Sequence, residues 1–178
     1  VCSSDLVNTY TGVTTITGGS IYITSDASLG SVPATQTPGS LVIGDGATLH
    51  SDGAFTLNVN RGIALNGSAT ITVASGALTV DGIIAGTGSL VKNGNYPLYL
   101  SNSNAYSGDT TINAWSGIII SGSGSLGNGS YAGNIINNSG DASGFTYSSS
   151  TNQVLSGNIS GTSGLTKNTS SSSTLTLA

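Results

Sequence analysis

Asn104-Ala105-Tyr106-Ser107-Gly108-Asp109-Thr110-Thr111-Ile112 restates, 96 residues later, the phrase Asn8-Thr9-Tyr10-Thr11-Gly12-Val13-Thr14-Thr15-Ile16. The match continues, because Ile21-Tyr22-Ile23 and Ser28-Leu29-Gly30 return as Ile118-Ile119-Ile120 and Ser125-Leu126-Gly127 with one residue inserted. A second phrase is also doubled: Ile84 to Asn93 (IAGTGSLVKN) returns as Ile159 to Asn168 (ISGTSGLTKN), and Leu98-Tyr99-Leu100 behind it returns as Leu175-Thr176-Leu177. Units restated at such a distance point to a repeat architecture, in which one unit cannot bury its own apolar face and stacks on its neighbours. Both ends fall inside the unit, so the stretch reads as part of a much longer repetitive protein. Val1 to Leu6 fits no repeat and is set aside as a non-native or scar segment, leaving residues 7–178 as one solenoid.

Composition narrows the class. The 178 residues include 27 Gly, no Met, no Glu and 6% charged side chains, against about a quarter charged in an average globular domain. The 37% that are apolar arrive in short bursts rich in Ile, Val and Leu, which disordered chains lack. A net charge of −4, with Arg61, Lys92 and Lys167 the only cations, argues against nucleic acid and against an anionic membrane surface. Cys2, the single cysteine, lies in the segment set aside, so neither a disulfide framework nor a cysteine metal site is expected. No run approaches the roughly 18 apolar residues of a membrane helix, and no signal-peptide pattern is present, so any export signal or anchor is expected outside this stretch.

The apolar residues follow a period of two, which excludes helix and predicts strands. Thr56 to Val59, Ala69 to Val73, Ala77 to Val80, Leu98 to Leu100 and Thr174 to Leu177 alternate apolar with Thr, Asn or Tyr. Corners rich in Gly, Asn and Asp break them: Gly44-Asp45-Gly46, Ser51-Asp52-Gly53, Asn66-Gly67-Ser68, Asp81-Gly82, Asn93-Gly94 and Gly127-Asn128-Gly129. Such corners also suit hairpins. The long-range repeat decides for a right-handed parallel β-helix, an all-β β-solenoid of roughly seven to eight coils of about 20 to 25 residues, without caps. The dry side takes Ile16, Leu41, Ile43, Leu57, Val59, Ile63, Leu65, Ile71, Val73, Leu78, Val80, Leu90, Leu98, Leu100, Ile112, Ile118, Ile120, Ile135, Val154, Leu165, Leu175 and Leu177. Residues 31–38, with two prolines, read as a loop excursion, and the Ser-rich 139–152 as an irregular coil. The repeats predict Tyr10 and Tyr106, and likewise Lys92 and Lys167, on corresponding faces of the rod. Open strand edges at both ends predict end-to-end self-association of the isolated chain.

In Gly86-Thr87-Gly88-Ser89-Leu90-Val91-Lys92-Asn93-Gly94, Leu98-Tyr99-Leu100-Ser101, Asn104 to Ile112 and Ile118-Ile119-Ile120, the order of motifs resembles the autotransporter-associated β-strand repeat of Gram-negative passenger domains. A second copy is split between Gly161 to Leu177 and Asn8 to Ile23. Departures are Tyr96-Pro97 before the Leu-x-Leu strand, Trp115 in an enlarged turn, and Ser170 to Ser173 in place of a glycine turn. The resemblance implies a stalk-like extracellular passenger of an adhesin-like, virulence-associated protein. It further implies anchoring in the outer membrane through a C-terminal translocator barrel, and host or environmental surface glycans or proteins as partners.

The residues give thin support to other functions. Glycoside cleavage needs paired carboxylates, and the candidates are Asp5, Asp26, Asp45, Asp52, Asp81, Asp109 and Asp141, most of them beside Gly in corners. His50, near Asp45 and Asp52, is the single histidine; it and Arg61 read as exposed strand-end side chains. Lys92 and Lys167 read as a surface feature repeated along the rod. Calcium needs a repeated ligand motif, and Ile43-Gly44-Asp45-Gly46 stands alone. Asn66-Gly67-Ser68, Asn128-Gly129-Ser130, Asn158-Ile159-Ser160 and Asn168-Thr169-Ser170 are chance matches to a glycosylation pattern. An ice-binding solenoid would need ranks of outward Thr, whereas Thr15-Ile16-Thr17, Thr70-Ile71-Thr72 and Thr174-Leu175-Thr176 lie far apart. Outward Tyr10, Tyr22, Tyr99, Tyr106 and Trp115 suit stacking on sugar rings or on neighbouring coils. The reading is therefore a non-enzymatic structural segment with no catalytic, cofactor or metal residues. The alternatives are a polysaccharide-binding or polysaccharide-degrading β-helix and the ice-binding solenoid.

Overall fold

The computed structural model describes residues 7–113, 115–140, 144–168 and 173–178. Val1 to Leu6 with Cys2 and Asp5, and also Asp141 and most of Ser170 to Ser173, lie outside the described residues. Short strands follow one another around a three-sided coil. The first coil holds β1 (Thr14–Ile16) and β2 (Ser20–Ile23), with a 3-10 turn at Asp26–Leu29 on its third side. Next come β3 (Thr37–Ile43), β4 (Thr48–Asp52) and β5 (Phe55–Leu57), then β6 (Arg61–Leu65), β7 (Ser68–Ser75) and β8 (Leu78–Val80). The fourth coil holds β9 (Ile84–Ala85), β10 (Ser89–Asn93) and β11 (Leu98–Leu100); the fifth holds β12 (Thr110–Ile112) and β13 (Ile118–Ile120). Above them lie β14 (Ser130–Tyr131), β15 (Ile135–Asn137) and β16 (Phe145–Tyr147), then β17 (Gln153–Leu155), β18 (Ile159–Ser160), β19 (Leu165–Lys167) and β20 (Leu175–Leu177).

All pairing is parallel and joins strands of adjacent coils. The second face runs unbroken through β2, β4, β7, β10, β12, β15 and β18, and the third through β5, β8, β11, β13, β16 and β19. The first face carries β1, β3, β6 and β9, passes through the isolated bridge Ser103 to Ser125, and resumes with β14, β17 and β20. The result is the expected all-β parallel solenoid, of about six turns. The seven strands stacked on the second face span six turns between them, and coil length varies along the rod. Leu90 pairs with Thr110, 20 residues on, but Thr14 pairs with Leu41 and Ile118 with Phe145, each 27 residues on.

Inside runs a continuous aliphatic file, each fully buried member being worth about 1.5–3 kcal/mol against exposure. Most of the expected ladder is buried, joined by Ile23, Leu49, Ile84, Leu126 and the aromatic Tyr106, Tyr131, Phe145 and Tyr147. Val59 and Leu177 are exposed instead. For Val59 the cause is local: β5 ends at Leu57, and alternation stops meaning anything once the chain enters a corner.

The repeated phrases do not occupy corresponding faces. Thr14–Ile16 lies on the first face and Thr110–Ile112 on the second; Lys92 lies on the second and Lys167 on the third. Both duplications are thus displaced by one face, so neither interval is a whole number of turns. Each side of a three-sided coil asks for the same thing, a short strand with an apolar inner row and a permissive corner. A phrase encoding strand, bend and strand therefore fits any two adjacent sides.

Candidate functional site

The carboxylates hold coils together. Asp45 accepts the backbone N–H of Ser68 at 2.7 Å, Asp109 that of Asn134 at 2.8 Å, and Asp81 the Ser101 hydroxyl at 2.5 Å. The corner side chains Asn134 and Asn152 do the same for Asn158 and Thr174. Asp52 is exposed at the end of β4. His50 is half-buried on the outer side of β4, its ring tilted against Tyr22 with centroids 4.2 Å apart. Nowhere among the described residues do three His, Cys, Asp or Glu side chains stand close enough to hold a metal ion.

Two cations read from sequence as exposed are buried. Arg61 pairs with Asp26 at 2.8 Å and donates to the carbonyls of Leu29 and Gly30, so its guanidinium ties the first coil's 3-10 turn to the third coil. Lys92 follows Leu49 and Ile71 along the inner row of the second face and stands before Ile112. Its stem packs among these aliphatics, and its Nζ donates to Gly94 O and Ser116 O, 2.7 Å each. Burial lowers its pKa to about 8. Lys167 differs: it is exposed, 5.6 Å from the Tyr147 ring centroid, with Nζ donating to Ser173 Oγ.

Lys92 therefore staples two successive corners between the second and third faces, Gly94-Asn95-Tyr96-Pro97 and the turn ending in Trp115-Ser116. The first needs glycine at position 94, where φ is +86° and a Cβ would overlap the Val73 carbonyl. Pro97 favours extended backbone at Tyr96, whose side chain is 44% exposed. On the next coil Trp115 is 70% exposed. Its indole lies against Gly140 of the coil beyond: Cε3, Cδ2 and Cζ3 stand 3.1, 3.2 and 3.3 Å from where a Cβ on Gly140 would be. The three ring atoms are nearly equidistant from that point, so the ring turns its face, not its edge, toward it. Asn138 donates to Asn113 at 3.4 Å across the same corner line, and the described corner residues 94–97, 113, 115–116 and 138–140 include no charged side chain. Tyr106, expected outward, is buried against Tyr131. Sequence reasoning named Trp115 as one of several outward aromatics and Tyr96-Pro97 as a departure from the repeat, but it had no signal that the two share a corner.

The fold and this surface define a parallel β-solenoid with Tyr96 and Trp115 exposed at its corners. At 39% identity over 117 residues, 60% of its length, the chain is similar to the adhesin BmaC autotransporter of Brucella suis biovar 1 (strain 1330). It spans 3% of that protein's length. A β-solenoid with this relative fits an autotransporter passenger. No family model matches the chain, and no solved structure matches it.

Proposed function

We propose that this chain is a segment of a rod-like passenger of a bacterial surface adhesin, built on the autotransporter-associated β-strand repeat, and that it extends and presents other parts without catalysing a reaction. The observation that carries this reading is the coil-on-coil pairing. Strand pairing joins each coil to its neighbours, so stability accrues as coils are added, which suits a chain that crosses an outer membrane extended and folds outside the cell. Similarity to an autotransporter adhesin supports the same conclusion. In this reading a C-terminal barrel, elsewhere in the protein, exports and anchors the rod. The carboxylates favour a structural role, since Asp26, Asp45, Asp81 and Asp109 are engaged in joining coils.

The test is immunolabelling of intact source cells with antibody to this chain, before and after external protease, together with incubation of the purified chain on a polysaccharide panel. Surface label that protease removes, with no release of reducing sugar, is the expected result. Label found only in permeabilised cells would overturn the surface placement. Sugar release would favour the polysaccharide-degrading alternative.

A further inference from the structure

We propose that Asn66-Gly67 is a self-modifying corner of the rod, where the asparagine amide is converted without an enzyme to aspartate and isoaspartate. Asparagine followed by glycine is the pairing that permits this, because the chain itself carries the glycine nitrogen within ring-closing reach of the side-chain carbonyl and no Cβ on the glycine stands in the way. The Gly67 nitrogen attacks Asn66 Cγ, the new C–N bond closes a succinimide, and Nδ2 leaves as ammonia with the proton that the Gly67 nitrogen gives up. Water then opens the ring. Cleavage of the new Cγ–N bond leaves aspartate in the normal main chain, whereas cleavage of the original peptide C–N bond leaves isoaspartate, with the main chain rerouted through Cβ and Cγ. Water is the one co-reactant.

The chain has three Asn-Gly pairs, Asn66-Gly67, Asn93-Gly94 and Asn128-Gly129, and the fold places them differently. Asn66 is exposed between β6 and β7, and among the described residues neither its side-chain amide nor the Gly67 N–H makes a hydrogen bond. A nitrogen not engaged as a donor is open to deprotonation and attack. Gly129 N–H instead donates to Leu126 O at 3.0 Å, and Asn128 Oδ1 accepts the Ser103 hydroxyl at 3.3 Å. Asn93 is half-buried at the end of β10, in register with Thr72, and the peptide beyond it is held from two sides: Lys92 Nζ donates to Gly94 O, and Gly94 lies against the Val73 carbonyl. Glycine at position 67 is imposed by packing, since φ is +86° and a Cβ there would stand 2.6 Å from Asp45 Oδ1. The product forms beside Asp45, whose carboxylate accepts Ser68 N–H at 2.7 Å and so joins the second coil to the third. A new carboxylate at residue 66 sets like charges side by side, and in isoaspartate an extra main-chain carbon also displaces Gly67 and Ser68. Modification therefore loosens this joint as the protein ages. The site does not depend on the passenger reading and would exist on any rod with this corner.

The test ages the 178-residue chain at physiological temperature in mildly alkaline buffer, folded and, in parallel, unfolded in guanidinium chloride. Peptide mapping by mass spectrometry reads the conversion of amide to acid at each pair, and an isoaspartate methyltransferase with a radiolabelled methyl donor marks the rerouted main chain. In the folded chain, conversion at Asn66 should run severalfold ahead of conversion at Asn93 and Asn128, with the methyl label in the peptide that contains residue 66. In the unfolded chain the three rates should converge. Asn66→Gln should abolish the label in that peptide and keep its denaturant midpoint on ageing, while the midpoint of the parent chain falls. Asn93 or Asn128 converting as fast as Asn66 in the folded chain, the same order of rates in the unfolded chain, or Asn66 still intact in the folded chain once the unfolded chain has converted would each overturn the proposal. Full conversion at Asn66 with no fall in midpoint would overturn the loosening of the joint.

Discussion

In the first copy of the repeated phrase Tyr10 shares a hydrogen bond with Thr14 at 2.7 Å and stands 43% exposed; in the second, Tyr106 shares the same bond with Thr110 at 2.7 Å and is fully buried. The local contact is written into the four-residue spacing and survives any placement. The surroundings are not, because Tyr10 lies on the first described coil and Tyr106 has coils on both sides. There Thr110 goes on to meet the Tyr131 hydroxyl at 2.8 Å, and Tyr131 donates to Gly108 O. The Ser-Leu-Gly turn that closes each copy is likewise anchored by a different later residue. Arg61 holds the Leu29 and Gly30 carbonyls, whereas Gln153 accepts from Leu126 N at 2.8 Å and donates to Leu126 O at 3.1 Å. One phrase thus specifies a bend, and the coil it lands on decides what that bend contributes to stability.

The sharpest way to break this comparison is truncation of the two tyrosines. Tyr106→Ala should cost about 4 kcal/mol, the range for emptying a large aromatic site in a core. Tyr10→Ala should cost well under half of that, and equal denaturant midpoints for the two would refute the difference in placement. Next in size is the anchor of the first turn. Arg61→Met leaves Asp26 without its cation and removes a donor from the Leu29 and Gly30 carbonyls, and it should lower stability by about 3 kcal/mol, read as a shift in urea midpoint with unchanged slope.

Lys92, in the first copy of the second duplicated phrase, tests the same point through pH. Lys92 has a folded pKa near 8 and an unfolded value of 10.5, so below pH 8 both states hold the proton and the burial penalty is fully felt. Above pH 8 the unfolded chain binds more protons than the folded one, and stability should rise with pH. The window closes near pH 10. There unfolded tyrosines ionise while Tyr106, Tyr131 and Tyr147, their pKa values raised chiefly by burial, stay neutral, and the slope reverses. Lys92→Met should flatten the rise between pH 8 and 9.5; a slope unchanged in Lys92→Met would count against the buried staple. The smallest effect concerns the residue paired with the last Ile of each copy. Ile120 faces Tyr147, whose hydroxyl donates to Thr151 O, whereas Ile23 faces Ser51, whose buried Oγ has no partner among the described residues. Ser51→Ala should raise stability by about 1 kcal/mol, and a loss in thermal midpoint would show that the hydroxyl is satisfied after all.

The chain's local pattern was enough for the class of fold. Period-two aliphatics between Gly and Asn corners can form little else than short strands, and long-range repetition selects stacking over hairpins. It also marked, as departures from the repeat, Tyr96-Pro97 and Trp115, whose aromatic side chains stand exposed. Register was beyond it. Which residues meet depends on the summed lengths of 20- to 28-residue coils, and an excursion such as residues 30–36 shifts every later side chain around the rod. For that reason only the tertiary structure separated buried Lys92 from exposed Lys167, buried Arg61 from its reading as a surface cation, and Tyr106 from Tyr10. It alone laid the Trp115 indole on Gly140, because that contact joins residues 25 apart through a stack that no short window of sequence contains.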